Sequence, residues 1–408
     1  FIEQHGRTIE TRPMKGTAPR AGRREADLEQ RRVLATDVKQ RAENLMIVDL
    51  MRNDLGRISE IGSVEVTDLF TVETFRTLHQ MTSGVRATLR DHVTLVDLLR
   101  AIFPPGSVTG APKIRAMELI AEYESEARGV YCGAIGHISP DGRSLFNVAI
   151  RTPAVFRDGS GEMGIGSGVV YDSGGDKEYA ECLLKLKFLT DPPKSFELIE
   201  TLLFDDTAGG FVLLERHLER LQSSAQYFGF PYDAATARAA LNEAVAGRSG
   251  ERLRVRLLLA EDGRLTVTAV SQAAQAAGAV MRYVVSPTRL NSADPLLYHK
   301  TTRRELYDGE WQKFHDEIGA DEVVYLNERG ELAEGSRTTI FIERDGRLFT
   351  PHLAAGLLPG TLRADLLETG RVGEARLTLD DLASADRVYL GNSVRGLVPA
   401  SPLERTTG

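Results

Sequence analysis

The sequence predicts an α+β chain made of two successive units. Three observations lead there. The polar stretch Thr190-Asp191-Pro192-Pro193-Lys194-Ser195 separates two long ordered-looking regions, because two prolines block helix continuation. On both sides of it, segments with helical spacing of apolar residues mix with segments that alternate as strands do. The 408 residues also exceed one folding unit of roughly 100–200 residues. The expected division is residues 1–189, a linker at 190–195, and a second unit at 196–408.

In the first unit, Leu28–Arg52 reads as a helix, with Leu45, Val48 and Leu55 at helical spacing and a stop near Gly56. Val96–Phe103 is a short helix ended by Pro104-Pro105, and Ile114–Glu124 is another. Tyr131–Ile138, Leu145–Arg151 and Glu162–Val170 read as strands with glycine punctuation, and Lys177–Phe188 as a helix with Tyr179, Leu183 and Leu186 on one face. In the second unit, Phe196–Leu203 begins a strand and Leu214–Phe228 is a helix. Arg252–Leu259 and Arg264–Val270 form a hairpin around Glu261-Asp262-Gly263. Val323–Leu326, Thr338–Glu343 and Arg387–Leu390 are strands, and Gly360–Glu368 starts a helix after Pro359.

Composition excludes several function classes. The chain is 42% hydrophobic and 26% charged, so each half can bury a core. Its net charge of −8 argues against a nucleic-acid binder, which carries a basic stripe. Arg20, Arg23, Arg24, Arg31 and Arg32 interleave with Glu25, Asp27 and Glu29, as on a solvated helix face. Cys132 and Cys182 belong to no metal or disulfide pattern and fit a reducing compartment. No apolar run approaches the roughly 18 residues that span a bilayer. No charged leader precedes an apolar stretch, so no signal peptide is read and a cytoplasmic location is expected. The chain opens Phe1-Ile2-Glu3, without Met, and reads as the middle of a strand, as a truncated chain would.

Three segments of the second unit carry chemistry together. Tyr298-His299-Lys300-Thr301-Thr302 isolates one lysine. Glu331-Leu332-Ala333-Glu334-Gly335-Ser336-Arg337-Thr338-Thr339-Ile340-Phe341 sets an acid before a small-residue turn and an apolar strand. Leu358-Pro359-Gly360-Thr361-Leu362-Arg363 opens a helix whose N–H groups suit a phosphate. Alone, each is an ordinary surface lysine, acidic hairpin or helix start. In this order, over about Phe196–Pro402, they resemble the fold-type IV pyridoxal-phosphate (PLP) enzymes, which include branched-chain and D-amino-acid aminotransferases and 4-amino-4-deoxychorismate lyase. The resemblance implies a two-subdomain fold and Lys300 as the Schiff-base lysine. It also implies Arg220, in His217-Leu218-Glu219-Arg220-Leu221, on the phosphate. Glu334 would pair with the pyridine nitrogen, and Thr361, Leu362, Asn392 and Ser393 would cap the phosphate. An anion beside the ring keeps its nitrogen protonated and makes the ring an electron sink. Thr201 aligns with a threonine that the lyases use near the substrate carbon. The pattern leaves transaminase and lyase both open. A homodimer through this unit is implied as well.

The first unit carries Arg12-Pro13-Met14-Lys15-Gly16-Thr17, the acidic helix segment Glu43–Leu55, Phe103–Lys113, Asn147–Thr152, Gly164–Ser173 and Lys177–Glu181. Glu43 and Glu181 could meet around a hard cation, Arg151 could grip a carboxylate by its fork, and Gly166 and Gly168 let backbone N–H groups approach an anion. These segments resemble the chorismate-utilising enzymes: anthranilate, isochorismate, salicylate and aminodeoxychorismate synthases. The resemblance implies part of that family's α/β sandwich and Mg²⁺ on Glu43 and Glu181, with Glu178 acting through water. Tyr131, Arg151 and the Gly166–Gly168 backbone would hold a carboxylate, His79 would lie beside the ring, and Ser107 would touch substrate. Lys15, where most members have a small residue, matches aminodeoxychorismate synthase component I, in which the lysine is a covalent nucleophile. The family's domain extends ahead of Phe1, so either the sequence is a fragment or the unit is incomplete and inactive as written. Together the two halves imply amination of chorismate to aminodeoxychorismate, with a glutamine amidotransferase supplying ammonia, and then elimination of pyruvate to give 4-aminobenzoate. The alternative is an aminotransferase joined to a scaffold-only remnant.

Overall fold

The computed structural model describes residues 1–171, 173–190, 194–276 and 278–403, without the side chains of 184, 187 and 188. Asp172 and the linker residues Asp191, Pro192 and Pro193 lie outside the described residues. The chain forms two compact units: Phe1–Arg20 with Leu28–Lys194, and Ala21–Asp27 with the chain from Ser195 on.

The first unit, with the start of α1 assigned to the second, runs β1 (Ile2–His5), β2 (Thr8–Thr11), β3 (Met14–Pro19), α1 (Arg24–Thr36), α2 (Val38–Gly56), β4 (Glu65–Thr74), β5 (Leu78–Thr88), α3 (Leu95–Ile102), α4 (Lys113–Tyr123), β6 (Ala134–Ile138), β7 (Arg143–Val148), β8 (Ala154–Val155), β9 (Gly161–Glu162) and α5 (Gly175–Thr190). Its seven-stranded sheet is ordered β3-β5-β2-β1-β7-β6, with β4 also on β5. β5 organises it: β2 and β3 pair with β5, separated by Arg12-Pro13, and β4 pairs with it antiparallel. α2 buries Ile47, Val48, Met51 and Leu55 in a core with Ile2, Ile9, Val85 and Leu98.

Three expectations change. The helix read over Leu28–Arg52 is two helices. Asp37 starts the second by accepting from the Gln40 N–H at 2.8 Å, which satisfies a free donor of the new first turn. The strand expected over Glu162–Val170 is only the two residues of β9, since three alternate glycines leave little side chain to pack on a ladder. Tyr131 sits in a turn, its N–H bonded to Arg128 O at 2.9 Å, and the strand begins at Ala134.

The second unit runs β10 (Leu198–Asp205), β11 (Gly210–Phe211), α6 (Leu214–Phe228), α7 (Ala234–Val245), β12 (Arg252–Leu259), β13 (Leu265–Ser271), β14 (Met281–Leu290), α8 (Glu305–Ile318), β15 (Glu322–Asn327), β16 (Leu332–Gly335), β17 (Thr339–Arg344), β18 (Arg347–Pro351), α9 (Thr361–Glu368), β19 (Val372–Ala375), α10 (Leu379–Ala383), β20 (Arg387–Asn392) and β21 (Gly396–Pro402). Two sheets result, ordered β11-β10-β12-β13 and β16-β15-β14-β21-β20-β17-β18-β19. The smaller sheet packs Leu198, Leu202, Val255 and Leu257 against Leu218, Leu221 and Leu241 of its helices. Because Leu221 is 1% exposed in this cluster, Leu221→Ala is expected to cost about 2–5 kcal/mol. A lower urea midpoint with an unchanged slope checks this.

Candidate functional site

β10 is apolar and buried along most of its length, yet it carries one carboxylate inside, Glu200, 2% exposed. A buried charge needs partners, and α6 supplies two. Arg220 donates to both Glu200 oxygens, Nε at 2.9 Å and an Nη at 2.6 Å, and its other Nη donates to Pro359 O at 3.1 Å. His217 Nδ1 lies 2.6 Å from Glu200. Burial pushes the Glu200 carboxyl up, but Arg220 and His217 outweigh it and hold the pKa at about 2. Burial lowers the His217 pKa, so the ring is neutral and Arg220 carries the charge pairing. A neutral ring facing a carboxylate places its proton on Nδ1, which leaves one lone pair on Nε2. Two hydroxyls compete for that lone pair, Ser393 at 2.9 Å and Thr361 at 3.3 Å. At most one donates to it well, so a hydroxyl proton stays free. Thr361 also opens α9, whose Gly360 cap gives no side-chain bond, so the first-turn N–H groups of Thr361 and Leu362 are uncapped.

Lys300 reaches this network through its backbone: its carbonyl accepts from the Ile199 N–H, beside Glu200, at 2.8 Å. Its side chain is neither fully exposed nor sealed off, and among the described residues it makes no hydrogen bond or ion pair. Burial, then the charges of Arg220 and Arg304, lower its pKa to about 8. Glu334 also acts on this amine, and it is buried. Glu334 accepts from Tyr307 OH at 2.6 Å and from the Leu358 N–H at 3.0 Å, while burial pushes its pKa up. Asn392 donates to Arg337 O at 3.1 Å, joining the turn after Glu334 to the turn before Ser393. Thr201 follows Glu200 on β10 and pairs with Arg256 across to β12. Lys300, Glu334, Arg220, Thr361 and Ser393 therefore share one neighbourhood. Sequence reasoning gave no role to Glu200, Tyr307 or Arg304, or to His217 itself. An acid set between Ile199 and the apolar end of the run Phe196–Leu203 was the available signal for Glu200.

In the first unit, a side-chain carbon placed on Gly168 would lie 3.8 Å from Lys15 Nζ, and one on Gly166 would lie 2.6 Å from Tyr131 OH. Lys15, Tyr131 and the glycine segment are thus neighbours. Burial, with Cys132 beside it, pushes the Tyr131 phenol up to about 12. Lys185, which sequence reasoning missed, bonds Gly166 O at 2.9 Å and Glu181 at 2.6 Å. Ser173 donates to Glu178 at 2.7 Å, and the hydroxyls of Ser167 and Ser173 lower its pKa. Among the described residues, no group of three or more His, Cys, Asp or Glu is gathered as for a metal ion. Glu43 is half-buried on α2. His79 is buried on β5 against Thr74 Oγ1 at 3.0 Å, and Ser107 sits in a single turn at Gly106–Val108. Arg151, expected to end a strand on the buried side, is exposed beyond β7 at a φ of 50°.

Two family models match. The chorismate binding enzyme model covers residues 1–191 and the amino-transferase class IV model covers residues 197–403. Aminodeoxychorismate synthase component 1 of Salmonella typhimurium is 46% identical over 192 residues, 47% of this chain and 42% of that protein. Anthranilate synthase component 1 of Streptomyces coelicolor is 47% identical over 185 residues, 45% of this chain and 36% of that protein. The chain thus spans about two-fifths of the length of these relatives. A crystal structure of a putative amino-acid aminotransferase from Mesorhizobium loti aligns at 43% identity and a TM-score of 0.48, over 51% of this chain and 100% of that one. Among the described residues, no helix is long and apolar enough to cross a membrane. With its second half matched from 197 to 403, the chain belongs to the amino-transferase class IV family, and a chorismate binding enzyme domain precedes it.

Proposed function

We propose that this chain makes 4-aminobenzoate: the first unit (1–189) aminates chorismate to aminodeoxychorismate, and the second (196–408), joined by 190–195, removes pyruvate from that product. The observation that carries the reading is a Lys300 amine that makes no hydrogen bond or ion pair among the described residues, in one neighbourhood with a buried carboxylate and a preset phosphate-type donor set. The class IV family implies PLP, and the residues present fit it. Arg220, the spare hydroxyl of Thr361 or Ser393 and the uncapped N–H groups of α9 suit a phosphate. Glu334 suits a ring nitrogen, and Asn392 fixes the turn before Ser393. When bound, the cofactor would supply an electron sink for a carbanion. Lys300, with a pKa near 8, is poised to give up and take back a proton near neutral pH. Glu334 would hold the proton on the ring nitrogen, and Tyr307 and the Leu358 N–H orient it. Thr201 is proposed at the substrate carbon.

For the first unit we propose Lys15 as the nucleophile, with Tyr131, Arg151, Gly166 and Gly168 on the carboxylate, His79 beside the ring and Ser107 on substrate. The expected magnesium ligands do not fit the ion as arranged. Glu181 is taken by Lys185 and Glu178 by serine hydroxyls, so a metal on Glu43, Glu178 and Glu181 requires Lys185 to let go. Ammonia from a glutamine amidotransferase, a homodimer through the second unit and a cytoplasmic location complete the proposal.

A second reading, an aminotransferase, is favoured by the matched family itself. One comparison separates the two. Aminodeoxychorismate given to the purified PLP-loaded chain is expected to release pyruvate stoichiometrically with 4-aminobenzoate, with no amino-group exchange between amino acids and 2-oxoglutarate. Exchange without pyruvate release replaces the lyase with the aminotransferase.

A further inference from the structure

Three arginines crowd the turns that carry the second unit's site, and the last of them, Arg395, pairs with no acid among the described residues. Arg304 comes just after Lys300, Arg337 just after Glu334 and Arg395 just after Ser393. Their turns are tied together. The Arg304 guanidinium donates to Ser336 O, Asn392 Nδ2 donates to Arg337 O at 3.1 Å, and Asn392 Oδ1 accepts from the Arg395 N–H at 3.0 Å. One carboxylate, Asp308, is shared between two of them, 3.4 Å from Arg304 and 3.9 Å from Arg337. The Arg395 side chain is exposed and, among the described residues, makes no hydrogen bond or ion pair. Burial, with the charges of Arg304 and Arg395, lowers the Arg337 pKa although Asp308 and Glu322 oppose this. Arg337 is held in place by the Trp311 ring, 3.8 Å from its guanidinium carbon. Stacking fixes the guanidinium plane and presents a fork suited to a carboxylate.

A guanidinium without an acid partner, held beside a second one, is relieved by an anionic ligand. We propose that Arg337 and Arg395 seat a carboxylate of the substrate, a small unsaturated-ring dicarboxylate, between the turn after Glu334 and the turn after Ser393. The ring and its second carboxylate rest on the lyase reading; the seat for an anion does not.

Trp311 is the chain's one tryptophan, and it lies against Arg337, so its fluorescence reports this seat and no other. The test titrates the PLP-loaded full chain with isophthalate, a non-reacting ring dicarboxylate, and with benzamide as an uncharged control. Isophthalate is expected to change Trp311 emission saturably. Arg395→Ala, which leaves the Trp311 stack intact, is expected to raise the Kd about tenfold, the loss of one charge-assisted contact. Arg337→Ala is expected to raise it as much or more, followed by calorimetry because the variant alters the reporter. Visible absorbance of bound cofactor is expected to stay unchanged in both. No response to isophthalate, an equal Kd in Arg395→Ala, or a benzamide response as strong as that of isophthalate overturns the seat. Pyruvate release with an unshifted Kd sinks the seat and leaves the lyase; a shifted Kd without pyruvate release does the reverse.

Discussion

Lys300→Met is expected to abolish turnover by the second unit while leaving the cofactor-free protein more stable at neutral pH. Removing a proton-transferring group alone costs about 10²–10⁴-fold, and loss of the covalent attachment point adds to that. The stability effect follows from the lowered pKa. A lysine at about 8 in the fold, against its ordinary 10.5, has its charged form disfavoured by folding. Below pH 8 both folded and unfolded chains carry the proton, and the fold bears the desolvation cost in full. Between pH 8 and 10.5 the unfolded chain holds a proton that the folded chain has shed, so stability rises with pH across that window. Methionine keeps the apolar stem and removes the amine, so the gain at pH 7 is on the order of 2–3 kcal/mol, fades between pH 8 and 10.5 and is gone above the unfolded pKa. Urea midpoints of the apoprotein at several pH values check it. The same pKa sets the rate of cofactor attachment, which needs the neutral amine. That rate is expected to rise about tenfold per pH unit below 8 and to level off above it.

Glu200→Ala is expected to have the largest structural effect of any single change at the site. It leaves Arg220 buried without its carboxylate and His217 without the acceptor that fixes its tautomer. Breaking a buried pair by removing one partner costs about 3–5 kcal/mol. PLP affinity falls with it, since Arg220 is no longer oriented and the His217–Ser393–Thr361 contacts lose their anchor. The pH signature separates this from a packing defect. Glu200 has a folded pKa of about 2 against its ordinary 4.5, so its contribution is present above 4.5 and disappears as pH falls through 2. The difference between parent and variant is therefore expected to shrink on acidification. A difference independent of pH argues that only volume was lost.

What the sequence disclosed follows from how local each signal is. α6, α9 and the β12–β13 hairpin are marked by periodicity, a Pro-Gly start and an Asp-Gly turn, and they form within about two residues of expectation. Lys300, Glu334 and Thr361 stand in short segments whose order carries information. Glu200, His217 and Tyr307 do not, because their roles arise from pairings between distant segments: a strand acid with a helix arginine, a helix tyrosine with the edge of β16. The Leu28–Arg52 helix failed at Asp37, where one side-chain bond to a backbone N–H outweighs continuous apolar spacing. The strand expected through Arg151 stops at Val148, which takes Arg151 out of the sheet.

The most direct measurement reduces the PLP-loaded protein with borohydride and maps the modified peptide by mass spectrometry. The account predicts the cofactor's mass on the peptide containing Tyr298-His299-Lys300 and none in Lys300→Met. Label on another lysine, or equal label in Lys300→Met, contradicts it.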